Sequence, residues 1–112
     1  MPEISWEDFE KVDVRVGTVV EAEPFPEARK PSIKLKVDFG PEVGTRKTSA
    51  QLTSHYEPEG LVGKQVVAVV NFPPKRIAGF ESEVLVLGVP DGDEEVVLLS
   101  LDHEVPPAGR MF

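Results

Sequence analysis

The sequence has no cysteine in its 112 residues, which excludes disulfides, thiol nucleophiles and cysteine-ligated zinc. Its only two histidines, His55 and His103, are too far apart along the chain to suggest a metal-ligand spacing. No apolar run approaches the roughly 20 residues that a membrane-spanning helix needs, and the N-terminus shows no signal-peptide pattern. These absences, with the chain length, predict one cytoplasmic domain over residues 1–112 without membrane insertion.

Catalytic motifs are also missing. The chain contains neither a Gly-x-Ser-x-Gly nucleophile elbow nor a glycine-rich phosphate loop. The segment DGDEE (residues 91–95) resembles half of a calcium loop, but it lacks the length of that loop and the glutamate at its twelfth position. We therefore predict a protein that is not an enzyme and that holds neither a metal nor a cofactor.

The charge is distributed unevenly along the chain, whose net charge is −8. Residues 1–27 carry eight acidic and two basic side chains, and residues 81–112 carry eight acidic and one basic. Residues 28–80, in contrast, carry nine basic and four acidic side chains. Such a basic middle segment can bind an anionic partner, or the acidic ends can pack against it and neutralise it. The composition leaves both interpretations open.

Alternating apolar and polar residues predict several short β-strands between turns rich in proline and glycine. The clearest is IKLKVDF (residues 33–39), in which Ile33 begins an apolar face and Lys34 a polar face. Ser5 is placed to cap a short helix at residues 5–12, and Gly17 interrupts the first strand as a bulge or bend would. The predicted strands span residues 12–22, 33–39, 45–53, 64–70 and 82–88, with one more at 96–101 after a turn at 90–95.

The order of these elements predicts an all-β fold, a five-stranded OB-fold Greek-key barrel. The connector at residues 54–63 lies between the third and fourth strands, where an OB-fold carries its helix. The barrel would be extended by a short N-terminal helix and by C-terminal strand segments. Ligands of OB barrels lie across strands 2 and 3, between the loops that join strands 1 to 2 and strands 4 to 5.

Eight of the nine bases in the middle segment fall on that expected ligand surface, and only Lys64 lies elsewhere. Two are in the strand 1–2 loop, two on strand 2, two on strand 3 and two in the strand 4–5 loop. Because a random distribution would not gather them there, we predict a cationic binding surface. Its basic candidates are Arg29, Lys30, Lys34, Lys36, Arg46, Lys47, Lys75 and Arg76.

Prolines and phenylalanines accompany these bases in the two loops. Pro73 and Pro74 restrict the backbone and predict a stiff strand 4–5 loop. Phe25, Phe72 and Phe80 lie in the flanking loops, where they can stack on nucleotide bases, line an apolar groove for peptide side chains, or plug the ends of the barrel. The sequence alone does not choose among these three roles, and we take Phe72 and Phe80 as candidate ligand-binding residues.

The stretch YEPEGLVGKQVVAVVNFPPKRIAGFESEVLVLG (residues 56–88) resembles the tRNA-binding-domain family. The stretch at residues 8–40 and the ending VPPAGRMF are similar to it as well, so that the resemblance covers nearly the whole chain. The positions that carry the motif in residues 56–88 are Tyr56, Pro58, Glu59, Leu61, Gly63, Lys64, Asn71, Pro74, Lys75, Arg76, Ser82 and Glu83.

This resemblance implies a homodimeric OB-fold without catalytic activity, and it adds Ser82 to the candidate ligand-binding residues. The chain is most similar to a stand-alone bacterial branch that is credited with chaperoning protein export, through unfolded preproteins and the export motor ATPase. Other members grip the outer corner of tRNA by its shape. We therefore expect an export-related chaperone, with a tRNA-binding protein as the alternative.

Apolar side chains at both chain ends lie outside the five predicted barrel strands. They can form a lid over the barrel or a self-complementary two-fold interface, and the family resemblance favours the interface. These residues are Ile4, Trp6, Phe9, Val105, Met111 and Phe112.

Overall fold

Nine strands and three short helices make up the computed structural model, which describes residues 1–112. The helices are α1 (Trp6–Glu10), α2 (Gly40–Val43) and α3 (Pro58–Leu61). The strands are β1 (Val14–Pro24), β2 (Ile33–Asp38), β3 (Thr45–Ala50), β4 (Gln65–Val69), β5 (Lys75–Ile77), β6 (Phe80–Ser82), β7 (Leu85–Val86), β8 (Gly88–Pro90) and β9 (Val96–Leu98).

Five strands form one antiparallel sheet in the order β3–β2–β1–β4–β7. The long strand β1 pairs first with β4 and then with β2, and a bulge between Val19 and Glu21 bends it, as a small barrel requires. The sequence predicted this bulge or bend at Gly17, and the structure places the bulge two residues further along β1. Gly17 instead permits close packing, because a Cβ there would lie 2.5 Å from Val37 Cγ1 and 2.7 Å from the Phe39 ring.

The sheet curls until β3 approaches the segment between β6 and β7. The Glu83 amide donates to the Lys47 carbonyl at 2.8 Å, and the Lys47 amide donates to the Glu83 carboxylate at 2.9 Å. The buried hydroxyl of Thr48 donates to the Val84 carbonyl at 2.7 Å. These bonds nearly close a five-stranded barrel and confirm the predicted all-β OB-fold, with its N-terminal helix and C-terminal strand extensions.

The core of the barrel follows the predicted alternation along β2. Ile33, Leu35, Val37 and Phe39 are all buried, while Lys36 on the other face is exposed. Burying an aliphatic or aromatic side chain of this size contributes roughly 1.5–3 kcal/mol. Their partners from other elements include Val19, Leu52, Leu61, Val66, Ala68 and Val84.

The boundaries of all the predicted strands shift in the structure, and β9 ends at Leu98 rather than at residue 101. Two of the shifts have a visible cause. Strand β3 ends at Ala50 rather than at residue 53, because the Leu52 amide bonds back to the Ala50 carbonyl at 3.0 Å and the Leu52 side chain enters the core. The strand predicted at residues 82–88 is broken into parts of β6, β7 and β8, since the chain leaves β5, pairs with β4 and then pairs with β9. The segment expected to be a stiff loop contains the β5–β6 hairpin.

The two ends of the chain lie side by side. The Asn71 side chain accepts from the Asp13 amide at 3.0 Å and donates to the Lys11 carbonyl at 2.7 Å, which ties α1 to the end of β4. The C-terminal tail runs along β1, where the Met111 amide donates to the Val14 carbonyl at 2.8 Å. No helix of the protein has the length and apolarity that crossing a membrane requires.

Candidate ligand-binding groove

A groove of about 970 Å³ opens where the barrel is incompletely closed. Its walls come from the β1–β2 loop, the end of β3, the β5–β6 hairpin and the segment through β7. We call this cavity the basic groove, after the side chains at its rim. Six of the candidates from the sequence line it: Arg29, Lys30, Phe72, Lys75, Arg76 and Ser82.

The β5–β6 hairpin presents two of these bases. Its turn is formed by Ala78 and Gly79, which have φ angles of 47° and 80°. Two successive positive φ angles are typical of a type I′ turn, whose twist matches that of paired strands. Lys75 and Arg76 are therefore held on a β-ladder, and their positions are more restricted than those of residues in a loop.

Most bases of the basic groove have no acidic partner. No salt bridge within 4.0 Å involves Arg29, Lys30 or Lys75. Arg76 lies 3.9 Å from Glu81, but both side chains are at least half exposed, and such a surface pair contributes little stability. The acidic ends of the chain thus leave Arg29, Lys30 and Lys75 unpaired, and only Glu81 approaches a base of this rim.

Ser82 has a structural role at the base of the hairpin. Its hydroxyl lies 2.8 Å from the Thr48 hydroxyl and accepts from the Ser49 amide at 3.3 Å. These bonds hold the hairpin against β3. Ser82 therefore positions the wall of the basic groove, and its hydroxyl already has protein partners.

Two lysines and two phenylalanines form a second cluster beside the basic groove, on the outer face of β2 and β3. The Lys34 Nζ lies 4.6 Å from the Phe25 ring centroid and 5.0 Å from that of Phe80, and the Lys47 Nζ lies 5.3 Å from Phe80. These are cation–π distances. Phe25 is only 2% exposed and packs against the Phe80 ring, with the two ring centroids 5.4 Å apart. Phe72, in contrast, is 54% exposed at the groove. We call Lys34, Lys47, Phe25 and Phe80 the lysine–aromatic cluster.

Lys36 and Arg46 are not brought to the basic groove. The Lys36 Nζ lies 2.9 Å from the Glu21 carboxylate, and this hydrogen bond raises the pKa of Lys36. Arg46 lies opposite the buried Val37 on the neighbouring strand, so it is on the other face of β3 from Lys47. Its Nε donates to the carbonyl oxygen of residue 43 at 3.1 Å.

Reasoning from charge missed the uncharged walls of the basic groove. Ser49 and Gln51 come from the end of β3, and Val84 and Val86 come from the opposite side of the opening. These residues reach the cavity only because β3 and β7 separate beyond the bonds at Thr48. No local pattern in the sequence indicates where two barrel strands fail to meet.

Two other polar clusters hold parts of the chain together. The Asp13 carboxylate accepts from Arg15 Nε at 2.7 Å and lies 3.7 Å from Arg110 Nε, and the hydrogen bond from Arg15 lowers the pKa of Asp13. His55 Nε2 lies 2.6 Å from Asp91 Oδ2, and this bond lowers the pKa of Asp91. No group of three or more His, Asp or Glu side chains is arranged to hold a metal ion.

The fold defines a class, that of small OB-fold domains, and a groove opens on one side of the barrel. Within this class, the chain belongs to the putative tRNA-binding domain family, whose model matches residues 14–110. The match confirms the family resemblance found in the sequence.

Solved structures similar to this chain include chaperones. The CsaA chaperone of Bacillus anthracis strain Ames is 54% identical with a TM-score of 0.91, over 99% of this chain and 100% of that one. The CsaA chaperone of Picrophilus torridus is 47% identical with a TM-score of 0.91, over 98% of this chain and 100% of that one. These similarities agree with the branch of the family that the sequence resembles.

Larger enzymes contain a similar domain. The methionine–tRNA ligase of Porphyromonas gingivalis is 39% identical over 109 residues, which are 97% of this chain and 16% of the enzyme. The chain thus spans about one sixth of the length of the curated relatives it matches.

Proposed function

We propose that the protein is a non-enzymatic, homodimeric chaperone that binds unfolded preproteins in the basic groove. The observation that carries this proposal is the combination of free bases with an apolar wall in one cavity. Arg29, Lys30 and Lys75 have no acidic partner, and Phe72 and Ile77 line the same groove. An unfolded chain exposes acidic and apolar side chains together, and this cavity suits both.

The similarity to CsaA chaperones over nearly the full length of both chains supports this proposal. We extend the proposal to a role in protein export. The export motor ATPase would be a further partner, and the protein would meet its clients and this ATPase in the cytoplasm. Binding in an open groove needs no cofactor and no chemical step, so the proposed chaperone acts by holding its client.

The homodimer is proposed from the apolar surface at the chain ends. Ile4 and Trp6 are 70% and 68% exposed, and the aromatic side chain of Phe112 is fully exposed. Arg110 Nη2 donates to the Glu10 carbonyl at 2.7 Å, so the C-terminal tail lies beside α1. We call the exposed residues Ile4, Trp6, Met111 and Phe112 the terminal patch. Exposed apolar side chains at neighbouring chain ends suit a two-fold interface, and two grooves on one particle would increase avidity for a long polymer.

The second candidate function is shape-selective tRNA binding, which the lysine–aromatic cluster favours. Its lysines can contact phosphates, and the exposed part of the Phe80 ring can stack on a nucleotide base, at about 1–3 kcal/mol for each stacked base. The family model points in the same direction. We rank it second because the net charge of −8 opposes the approach of a polyanion at long range.

The chaperone proposal is tested by light scattering from a chemically unfolded, signal-bearing precursor diluted into buffer with the protein. We expect the wild type to suppress aggregation and the double reversal K75E/R76E to lose this effect. The matched control is K11E/K64E, which changes the net charge equally at two exposed lysines outside the basic groove. The proposal fails if the wild type does not suppress aggregation, or if both double variants behave alike.

The tRNA candidate is tested by gel shift with total tRNA at several salt concentrations. Binding through phosphates predicts an affinity that falls steeply as salt rises, because each contact releases counterions. The double reversal K34E/K47E, in the lysine–aromatic cluster, should abolish the tRNA gel shift. The control K11E/K64E should weaken the shift far less. Absence of any shift for the wild type at low salt would remove this candidate.

The dimer is tested by sedimentation velocity. Trp6→Glu places a charge in the terminal patch. We expect it to convert dimers into folded monomers, since Trp6 is 68% exposed within one chain and lies outside the barrel core. Lys11→Glu, on the same short N-terminal segment, should leave the dimer intact. A wild type that sediments as a monomer at all concentrations would contradict this part of the proposal.

A further inference from the structure

We propose that the basic groove binds its client as an added β-strand, along the open backbone edge formed by residues 84–88. This inference rests on the proposed function and names the conformation and chemistry of the client. It concerns backbone groups, whereas the proposed function depends on side chains at the rim. The two can therefore fail separately.

The hydrogen-bond partners of Leu87 fix the direction of the backbone groups in β7 and β8. The Leu87 amide donates to the Val67 carbonyl at 2.8 Å, and the Leu87 carbonyl accepts from the Leu99 amide at 3.1 Å. Both partners, on β4 and next to β9, lie on one side of the chain. Because successive residues of a strand direct their N–H and C=O groups to opposite sides, Val86 and Gly88 direct theirs to the other side.

The other side of residues 84–88 is open. Strand β7 pairs only with β4, and β8 pairs only with β9. The amide of Val84 has no hydrogen-bond acceptor in the protein, while its carbonyl receives only the Thr48 hydroxyl. Val84 and Val86 both line the basic groove, so part of the edge lies inside the cavity.

The open edge also lacks the usual protection against pairing with another strand. Proteins commonly block an open edge with a charged side chain, a proline or a covering segment, because a free edge recruits other strands. The nearest charged residue, Glu83, uses its carboxylate to accept from the Lys47 amide at 2.9 Å. Proline appears only at Pro90, where it ends the edge because it has no N–H. An open edge inside a groove is suited to strand addition.

The charge and polarity of the residues that line the basic groove determine which occupant it favours. A strand bound along residues 84–88 alternates its side chains between two faces, at about 3.3 Å per residue. Lys75, Arg76, Leu52 and Val96 all line the cavity. The two basic residues favour acidic side chains of the client, and the two apolar residues favour apolar ones. The occupant is therefore an extended polypeptide that alternates apolar and acidic residues over about five positions.

The test uses a fluorescein-labelled decapeptide of alternating leucine and aspartate, with anisotropy as the readout. Two modified versions are compared: one is N-methylated at every leucine amide and the other at every aspartate amide. Only alternate amides of an added strand face the protein edge, so we expect one version to lose binding about 10-fold or more and the other to stay within about 3-fold.

The outcomes separate the two levels of the proposal. If the unmodified peptide does not bind while the wild type still suppresses aggregation of the precursor, the inference fails and the proposed function stands. If the peptide does not bind and aggregation is not suppressed, both fail. If the unmodified peptide binds and both methylated versions bind equally well, strand addition is wrong and the groove recognises side chains. If both versions lose binding to the same extent, a single edge is also wrong.

A pair of protein variants tests the same edge from the other partner. Val86→Pro removes one N–H from the open edge, where proline is sterically tolerated, and Val86→Ala shortens the same side chain while keeping the N–H. We expect Val86→Pro to weaken peptide binding about 10-fold relative to Val86→Ala. Circular dichroism and thermal unfolding check that both variants fold, and equal affinity of two folded variants would overturn the inference.

Discussion

The basic groove and the terminal patch use charged and apolar side chains in opposite ways. At the chain ends, Asp13 holds Arg15 at 2.7 Å and lies 3.7 Å from Arg110, and the large apolar side chains around them are exposed. At the groove, Arg29 and Lys75 have no acidic partner, and apolar side chains form the wall behind them.

This difference shows why net charge is a poor guide to a binding surface. The chain is strongly acidic, yet Asp13 and Glu42 pair with Arg15 on the terminal side, while three of the four bases at the groove rim have no acidic partner. Charged groups on the terminal side hold the tail to β1, so the surface available to a partner there is apolar. On the groove side, the hairpin is held by Ser82 and Thr48, which leaves the charges for a ligand.

The largest expected effect comes from Gly17, which is buried in β1 against β2 and belongs to neither region. Gly17→Ala places a Cβ 2.5 Å from Val37 Cγ1, and relieving that clash is expected to cost about 3 kcal/mol of unfolding free energy. Urea unfolding measures this loss. Gly60→Ala has no atom within 4 Å of the new Cβ and should be neutral or slightly stabilising. Equal behaviour of the two variants would mean that Gly17 is not tightly packed.

The next largest effect is expected from a substitution that changes the groove and leaves the terminal side unchanged. Thr48→Val removes the buried hydroxyl that bonds to the Val84 carbonyl at 2.7 Å, and we expect it to cost about 1–3 kcal/mol because that carbonyl loses its partner. Peptide binding should weaken as the groove wall loosens, while hydrogen exchange of the tail stays unchanged. Thr45→Val, at the exposed start of β3, is the control. Faster exchange at the Met111 amide would show that the two sides are coupled.

Asp13→Asn tests the terminal side in the same way. Removing the carboxylate that pairs with Arg15 and Arg110 should cost about 1 kcal/mol at neutral pH and leave peptide binding at the groove unchanged. Thermal unfolding and anisotropy measure the two quantities. A loss of peptide affinity in this variant would contradict the separation of the two regions.

The pH dependence of this variant follows from the lowered pKa of Asp13. A carboxylate whose pKa is lower in the folded state contributes stability above its unfolded pKa, which is about 3.9. That contribution is lost as the pH falls through the folded pKa. The wild type and Asp13→Asn should therefore differ in stability at pH 6 and converge as the solution is acidified. A difference that grows on acidification would overturn this assignment.

The smallest effect is a gain at the groove. Ala78 has a φ of 47°, a left-handed conformation that asparagine adopts more readily than alanine. Ala78→Asn should stabilise the protein by about 0.5 kcal/mol and leave the terminal side unchanged. Ala78→Val should be destabilising, since a β-branched residue tolerates positive φ poorly. Differential scanning calorimetry of the two variants checks the order, and the opposite order would contradict the turn geometry.

Several elements of the fold were predictable because their signals are local. The alternation of Ile33, Leu35 and Val37 defines β2 and its buried face without reference to any other element. Ser5 caps α1, with its hydroxyl accepting from the Asp8 amide at 3.1 Å, as the sequence predicts. The spacer before β4, which contains α3, and the order of strands were enough to predict the OB-fold.

The candidate site was predictable only in part, since position along the chain does not define direction in space. Six candidates line the basic groove, and Lys34, Lys47 and Phe80 form the neighbouring cluster. Arg46 is next to Lys47 in the chain but on the opposite face of β3, because side chains alternate along a strand. Phe25 and Phe72 both lie in flanking loops, and the structure exposes Phe72, the candidate of the two, while burying Phe25.

The sequence by itself determined the strand pattern, the class of barrel and the segment that carries the bases, since periodicity and composition act over neighbouring residues. The tertiary structure decided which bases remain unpaired, which phenylalanine is exposed and where β3 separates from β7. Those features depend on distances between residues such as Thr48 and Val84, which are far apart in the chain, and a few ångströms in such distances decide whether a hydrogen bond forms or a groove stays open.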